Sequence, residues 1–99
     1  MTFQQLQYIV SIDTHRHFAR AAEACFVTQP TLSSMVKKLE EDLGVVLFDR
    51  SKSPVMPTET GKAVIAQARS VLKEVTLLKQ LAQDTREVHA GELRIGMIP

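Results

Sequence analysis

Cysteine and long apolar runs are nearly absent from this sequence. Cys25 is the only cysteine among 99 residues, which excludes an internal disulfide framework and favours a reducing compartment such as the cytoplasm. No apolar run approaches the roughly 18 residues that would span a bilayer, so we expect no membrane contact. The N-terminus also lacks a basic leader followed by an apolar stretch, so we expect no secretory signal.

A large excess of positive charge is missing as well. The formal net charge is +1, and residues 1–57 contain as many acidic as basic side chains, six of each. Nucleic-acid binding therefore cannot be argued from net charge, and only the distribution of charge can support it. The cations lie around turns and on one helix face, whereas the acids at positions 40–42 cluster at the end of that helix.

The chain also lacks the sets of residues that catalysis and metal or cofactor binding require. No combination of nucleophile, base and orienting group can be assembled, and the four glycines form no phosphate-binding loop. His15 and His17 lie two residues apart without a third ligand nearby, which is poor spacing for zinc. We therefore expect no enzyme, no metal and no cofactor.

Three short helices are predicted in the first half of the chain. Thr2 and Gln5 match a capping box, so a first helix is expected from about Phe3 to Thr14. The segment "FARAAEACF" predicts a second helix, over residues 18–26, for which His17 partly fills the cap position. A third helix is expected over residues 29–43, because Thr28 suits an N-cap, Pro30 a first turn and Gly44 a left-handed stop.

Two short apolar segments follow and predict a small hairpin. The segments "VVLFDR" and "SPVMPT" flank the turn-prone "SKS", and Pro54 and Pro57 restrict them to an edge-like pair because proline cannot donate to a ladder. Arg50 and Lys52 flank the turn, where they are placed to reach a groove of DNA next to the one that a helix occupies.

A long helix is predicted from Glu59 to about Glu87. Its apolar residues recur at spacings of four and three, which is the pattern of a two-stranded seam. Ile65, Leu72, Leu77 and Leu81 widen that stripe, so part of the helix is expected to pack on its own domain and part on another chain. We expect "HAG" to end the helix and "ELRIGMIP" to open a further domain that is absent here. The predicted seam consists of Val64, Ala68, Val71, Val75, Leu78 and Ala82.

The outward face of the third helix combines small polar and cationic side chains. At 100° per residue, Ser34 and Lys37 lie opposite the apolar stripe, with Ser33 and Lys38 at its shoulders. The major groove of DNA admits one helix between phosphate walls, and free amides at a helix N-terminus bind phosphate. The pattern therefore predicts a recognition helix whose acidic end points away from the strands. An ordinary cap followed by solvated lysines remains the alternative for this helix alone.

These residues also resemble a known family. The segment "FARAAEACFVTQPTLSSMVKKLEEDLGVVLFDR", followed by "PTETG", closely resembles the N-terminal winged helix-turn-helix of LysR-type transcriptional regulators. The resemblance implies a mainly α fold, in which three helices and a small β-hairpin wing precede a long dimerising linker helix. Together with the helix face, it assigns DNA contacts to Thr28, Gln29, Pro30, Thr31, Ser33, Ser34, Lys37, Lys38, Arg50 and Lys52.

The resemblance further implies an architecture and partners. Residues 1–58 would form the DNA-binding domain, residues 59–88 the linker helix, and residues 89–99 a hinge and the first strand of a missing regulatory domain. The linker helix would pair with its counterpart in a homodimer that reads two half-sites of promoter DNA. Whether dimers assemble into tetramers, and whether RNA polymerase is a partner, stays open at this point.

Within the family, "HRHFARAAEACFVTQPTLSSMVKKLE" and "GELRIGMIP" look most like the OxyR branch, the peroxide-responsive activators. In that branch the sensing cysteines lie in the regulatory domain, so Cys25 is expected to be a buried structural thiol. Two alternatives remain open. One is a LysR-type regulator that senses a small metabolite, and the other is a helical dimerisation module without DNA affinity.

Overall fold

The computed structural model describes the backbone of residues 1–94 and the side chains of residues 1–86, and it confirms the predicted, mainly α fold class. This part of the chain forms four helices and one two-stranded antiparallel sheet. The elements in chain order are α1 (Phe3–His15), α2 (Phe18–Ala24), α3 (Gln29–Leu43), β1 (Phe48–Asp49), β2 (Met56–Pro57) and α4 (Glu59–Arg94).

Helix α1 begins at the predicted residue because its capping box is present. The Gln5 N–H donates to Thr2 Oγ1 at 3.1 Å, and the Thr2 N–H donates back to Gln5 Oε1 at 2.9 Å. Gln5 has a second role, since its side-chain Nε2 donates to the Met35 carbonyl at 3.1 Å while the residue is only 2% exposed. One glutamine thus caps α1 and joins it to α3.

Helices α2 and α3 differ in how well the local chemistry predicted their ends. Helix α2 ends at Ala24, two residues before the expected end, because Phe26 adopts a φ of 59° that a helix cannot include. His17 occupies the N-cap position without a side-chain hydrogen bond, so its expected capping role is wrong. Helix α3 has the predicted bounds: Thr28 accepts from the Thr31 N–H, and Gly44 stops the helix at a φ of 71°.

The core lies where α1, α2 and α3 meet the first turns of α4. Leu32, Val36 and Leu39 of α3 have no exposed surface and form the stripe that the helical spacing predicted. They pack in one cluster with Ile9 and Ile12 of α1. The other buried apolar members are Leu6, Tyr8, Ala21, Ala22, Leu47, Phe48, Val55, Ile65 and Ala68. Cys25, expected to be buried, is half-buried against this cluster.

The hairpin is shorter than the two six-residue segments that predicted it. Each strand contains two residues, with Phe48 opposite Pro57 and Asp49 opposite Met56. Pro57 has no N–H to extend the ladder, and the hairpin is held to the domain by other contacts instead. Phe48 and Val55 are buried in the core, and the Val55 N–H donates to the Arg16 carbonyl at 2.9 Å.

Helix α4 packs antiparallel to α1 along its first half. Arg69 pairs with Asp13 near the end of α1 at 2.8 Å, and Lys79 lies 5.7 Å from the Phe3 ring centroid near its start. The helix then continues to Arg94 rather than ending near Glu87, since a lone glycine weakens a helix without stopping it when helix-forming residues flank it. The expected strand falls partly within this helix and partly in residues 95–99, outside the described residues. None of the described helices combines the length and apolar character needed to cross a membrane.

The start of α4 fits against the chain before β1 only because residue 61 is glycine. A Cβ atom built at Gly61 would collide with the backbone carbonyl of Leu47. Thr58 fixes the same contact, since its hydroxyl donates to the Val46 carbonyl at 2.6 Å and accepts from the Gly61 N–H at 2.9 Å. The Thr58 N–H also donates to the Leu47 carbonyl at 2.9 Å. The Thr58 cap therefore fixes the position at which α4 begins against the domain.

We expect Gly61→Ala to lower the free energy of unfolding by about 3 kcal/mol, because the new methyl group meets backbone that cannot turn aside. Urea denaturation measures the change. Gly44→Ala is the matched control: its Cβ meets nothing within 4 Å, so only the strain of positive φ remains, about 1 kcal/mol. Equal losses in the two variants would contradict the close approach at Gly61.

Candidate nucleic-acid interface

Residues 29–38 of α3 present a polar surface to solvent. Gln29, Pro30 and Ser34 are exposed, and so are Lys37 and Lys38. Neither lysine takes part in an ion pair within the described residues. The two lysines therefore leave their charge available to an anion.

The first turn of α3 combines hydroxyls with backbone amides. Thr28 and Thr31 are both exposed, and their hydroxyl oxygens lie 2.9 Å apart in a hydrogen bond. The Thr31 N–H donates to Thr28 Oγ1 at 3.4 Å. This pairing orders the helix start and leaves the neighbouring Gln29 side chain at the exposed end, where the helix dipole is positive.

Arg50, predicted to flank the hairpin turn and to reach a groove of DNA, lies against α2 and α3. Its Nη1 donates to Ser33 Oγ at 3.1 Å, its Nη2 donates to Glu40 Oε1 at 3.2 Å, and its guanidinium carbon lies 5.0 Å from the Phe18 ring centroid. Its side chain is 34% exposed. One hydrogen bond thus joins two predicted contact residues, Arg50 and Ser33. Ser33 is half-buried, and its hydroxyl oxygen already accepts this bond.

Glu40 is the residue that holds Arg50 in this position. Its Oε2 accepts the Leu47 N–H at 2.7 Å and the Phe48 N–H at 3.4 Å, while Oε1 accepts from Arg50. Its side chain is only 12% exposed. Glu40 was predicted only as one of the acids at the end of α3, and its carboxylate has a further role, since it fastens β1 to α3. Glu41 and Asp42 remain exposed at that end.

The tip of the hairpin carries Lys52. Its side chain is 67% exposed, and Nζ lies 3.9 Å from an oxygen of Asp49. The Ser51 hydroxyl and N–H both donate to that carboxylate, and these hydrogen bonds hold the pKa of Asp49 below its usual value, with a smaller contribution from Lys52. Lys52 is the one predicted wing residue of the two that reaches outward.

A surface groove of about 490 Å³ separates α3 from the hairpin. Lys37 lines its α3 side, and Arg50 and Asp49 line the hairpin side. Glu40 also lines it, so the charge of Arg50 is partly offset there. Lys37 is therefore the cation of this groove whose charge is not paired within the described residues.

The predicted seam of α4 is divided between the core and the surface. Ala68 is 3% exposed and half-buried Val64 packs against the same core, so Ala68 has no surface left to offer a second chain. Leu78 is 63% exposed, Val71 is also exposed, Val75 is half-buried and Ala82 is exposed. The flanking residues divide too: Ile65 and Leu72 pack on the domain, whereas Leu77 and Leu81 are exposed.

The apolar residues of α4 that remain exposed therefore lie partly on the predicted seam and partly beside it, on the side of Leu77 and Leu81. Val71, Leu78 and Leu81 are spaced by seven and three residues and share one face of the helix. We call Val71, Leu77, Leu78 and Leu81 the exposed α4 face. Periodicity alone could not separate this face from the one that packs on α1, because the two overlap along the helix.

The sequence did not indicate the roles of two residues that join distant elements, or the exposure of one residue in a turn. Gln5 and Glu40 join elements that are far apart in the chain, and Phe26 is 95% exposed in the turn between α2 and α3. A capping motif was the only signal at Gln5. At Phe26, the signal of a left-handed turn was its position directly after a helix, where glycine is favoured.

Comparison with known proteins identifies the family. The model of the bacterial regulatory helix-turn-helix proteins of the lysR family matches residues 3–62. The chain belongs to the lysR family. That match covers all of the first three helices, the hairpin and the capped start of α4 in this lysR-family chain.

Two relatives extend the likeness to the whole chain. It is 46% identical over 99 residues to the DNA-binding transcriptional dual regulator OxyR of Escherichia coli, covering 100% of this chain and 32% of that protein. It is equally similar to the hydrogen peroxide-inducible genes activator of Pectobacterium carotovorum, over 100% of this chain and 33% of the relative. The chain thus spans about a third of the length of these relatives. Both are named as regulators, in agreement with the prediction that this chain is not an enzyme.

A solved structure supports the same fold with DNA present. The BenM_DBD/catB site 1 DNA complex has a TM-score of 0.85 and 29% identity, covering 87% of this chain and 97% of that one. The fold of this lysR-family chain is therefore close to that of a protein crystallised with DNA.

We expect Glu40→Ala to lower the free energy of unfolding by about 3 kcal/mol, since it leaves the Leu47 N–H and the Arg50 guanidinium without their acceptor. Glu40→Gln should cost less, about 1 kcal/mol, because an amide oxygen still accepts the N–H. Urea denaturation measures both. Glu41→Ala, which removes an exposed carboxylate one residue away, should stay within about 0.5 kcal/mol of the unchanged protein; an equal loss there would refute the anchoring role of Glu40.

Proposed function

We propose that this chain is the DNA-binding part of a LysR-type transcriptional activator of the peroxide-responsive kind, acting in the cytoplasm on promoter DNA. The exposed, polar and cationic outer face of α3 is the observation that carries the proposal. Family membership and the 46% identity to a protein named as a hydrogen peroxide-inducible genes activator support it.

The proposed contacts divide by chemistry. Gln29 has an amide that suits an adenine edge in the major groove, and it stands at the exposed N-terminal end of α3. Thr28, Thr31 and Ser34 line the same end with hydroxyl groups that suit phosphate oxygens, and the ring of Pro30 is exposed beside them. Lys37, Lys38 and Lys52 supply charge for the strands on either side.

Arg50 and Ser33 have a different role in this proposal. Because Arg50 is bound to Glu40 and Ser33, its guanidinium is a fixed donor at the rim of the groove between α3 and the hairpin. A fixed donor loses less conformational entropy when it meets a phosphate than a free side chain does. Arg50 is therefore proposed to position the strand, and Lys37 to supply most of the unpaired charge.

The exposed α4 face is proposed to pair with a second copy of the chain. Leu77, Leu78 and Leu81 are each at least half exposed, which is unusual for three leucines within two helical turns of a chain without a partner. Val71, Val75 and Ala82 extend this surface along the helix. Two DNA-binding domains held by one helix pair would then contact two half-sites, as the symmetry of dimeric regulators requires.

The regulatory function is proposed to lie in the remainder of the regulator. The chain spans about a third of its relatives, so the end of α4 and the residues after it are proposed to lead into a regulatory domain that senses peroxide. Cys25 is half-buried against the core and is not proposed as the sensor. Assembly into tetramers and contact with RNA polymerase stay predictions for the full-length regulator.

Lys37→Ala should weaken binding to specific and random duplexes alike and reduce the slope of log affinity against log salt by about 1, because one phosphate contact is lost. Fluorescence anisotropy at several salt concentrations measures this. Gln29→Ala is the contrasting variant: it should keep the salt slope and lose discrimination among variants of a selected duplex. If Lys37→Ala leaves both affinity and slope unchanged, the phosphate contact does not exist.

Leu78→Asp should convert the dimer to monomer at micromolar concentration, because pairing would bury an unpaired charge. Sedimentation equilibrium measures the mass. Gln80→Asp adds the same charge two residues later, about 200° around the helix, and should leave the dimer intact. An intact dimer in the Leu78 variant would place the interface outside the exposed α4 face.

A further inference from the structure

The turn between α2 and α3 holds a phenylalanine in a conformation that glycine usually adopts. The Val27 N–H donates to the Ala22 carbonyl at 3.0 Å, and the Phe26 N–H donates to the Glu23 carbonyl at 3.1 Å. This pair of hydrogen bonds is a Schellman motif, in which the residue after the cap is left-handed. Phe26 is that residue, with a φ of 59°.

Within the described residues, no contact offsets the strain of the positive φ at Phe26. The side chain of Phe26 is 95% exposed, the largest exposed fraction among the large apolar residues described. A bulky residue at positive φ is uncommon because its Cβ approaches the backbone. Glycine would make the same turn without strain and without exposing a ring to water, so the fold alone gives no reason for phenylalanine here.

The position of Phe26 connects the ring with α3. Phe26 precedes the cap residue Thr28 by two residues and Gln29 by three, and all three are exposed. The turn is short and hydrogen-bonded, so its residues keep a fixed place beside the first turn of α3. The ring is therefore continuous with the end of α3 that is proposed to enter the major groove.

We propose that Phe26 contacts DNA through apolar packing beside the N-terminus of α3. A duplex offers apolar surface there in two forms, the deoxyribose of the backbone and the C5-methyl group of thymine. The inference rests on the proposed function and adds to it an apolar contact made by the turn. The strain at Phe26 is then explained by binding, since a left-handed turn presents the ring away from the domain.

The decisive variants are Phe26→Gly and Phe26→Asn. Both residues accept positive φ, so both should keep the fold, and Phe26→Gly should raise Tm by a few degrees as the strain is released. Each should weaken binding roughly tenfold, because the apolar contact is lost. A rise in Tm together with a loss of affinity separates a binding role from a structural one.

Binding is measured by anisotropy with the 99-residue chain and two labelled duplexes. One duplex is selected by the unchanged chain from a random-sequence library, and the other is of random sequence and equal length. A loss on both duplexes assigns the contact to deoxyribose. A loss that disappears when deoxyuridine replaces thymidine in the selected duplex assigns it to the thymine methyl group. Phe3→Ala, which removes a partly exposed ring at the start of α1, is the control and should bind normally.

Unchanged affinity of both Phe26 variants for both duplexes would overturn the inference and leave the proposed function standing. Failure of the unchanged chain to bind either duplex would instead refute the proposed function, and the inference with it. The two failures are therefore distinguishable in one set of titrations.

Discussion

The Glu40 carboxylate is the interaction on which the geometry of the rest depends. It accepts hydrogen bonds from the backbone of Leu47 and Phe48 on one oxygen and from Arg50 on the other. Hydrogen bonds to a charged acceptor are the stronger ones in proteins, and this acceptor is 12% exposed. Helix α3 and the hairpin are therefore joined at a defined spacing, at which both elements can contact one ligand.

The same carboxylate determines where positive charge remains. Arg50 is drawn onto α3 and is neutralised in part, whereas Lys37 and Lys38 have no ion pair among the described residues. The unpaired positive charge thus lies near the middle of α3, one turn before Glu41 and Asp42. A net charge of +1 is compatible with DNA binding because binding depends on where the exposed cations lie, and Lys37, Lys38 and Lys52 are all exposed.

The helix ends that are set by neighbouring residues were predicted correctly from the sequence. Thr2 and Gln5 started α1, Thr28 started α3 and Gly44 ended it, each as predicted, because caps act through neighbouring residues. The end of α2 was missed because an unfavourable backbone conformation at Phe26 overrides helix propensity. The predicted end of α4 is wrong because Gly91 lies within the helix, which continues to Arg94.

Features that depend on tertiary structure could not be predicted from one sequence. Nothing near Glu40 in the chain indicates that its partners are the N–H groups of residues 47 and 48. The periodicity of α4 likewise predicted an apolar stripe but could not reveal that Ala68 packs on α1 while Leu78 remains exposed. Ten candidate contact residues were named from the sequence. The roles of Arg50 and Ser33 could be assigned only from the folded structure.

The central claim is that the N-terminal half of α3 and the hairpin together form the surface that meets DNA. Changes in backbone amide chemical shifts on addition of a selected duplex to the isotope-labelled chain test it most directly. The account predicts the largest changes at residues 26–34 and around Lys52, with small changes at Glu41 and Asp42. Changes as large at Glu41 and Asp42 as at Gln29, or changes confined to the exposed α4 face, would contradict it.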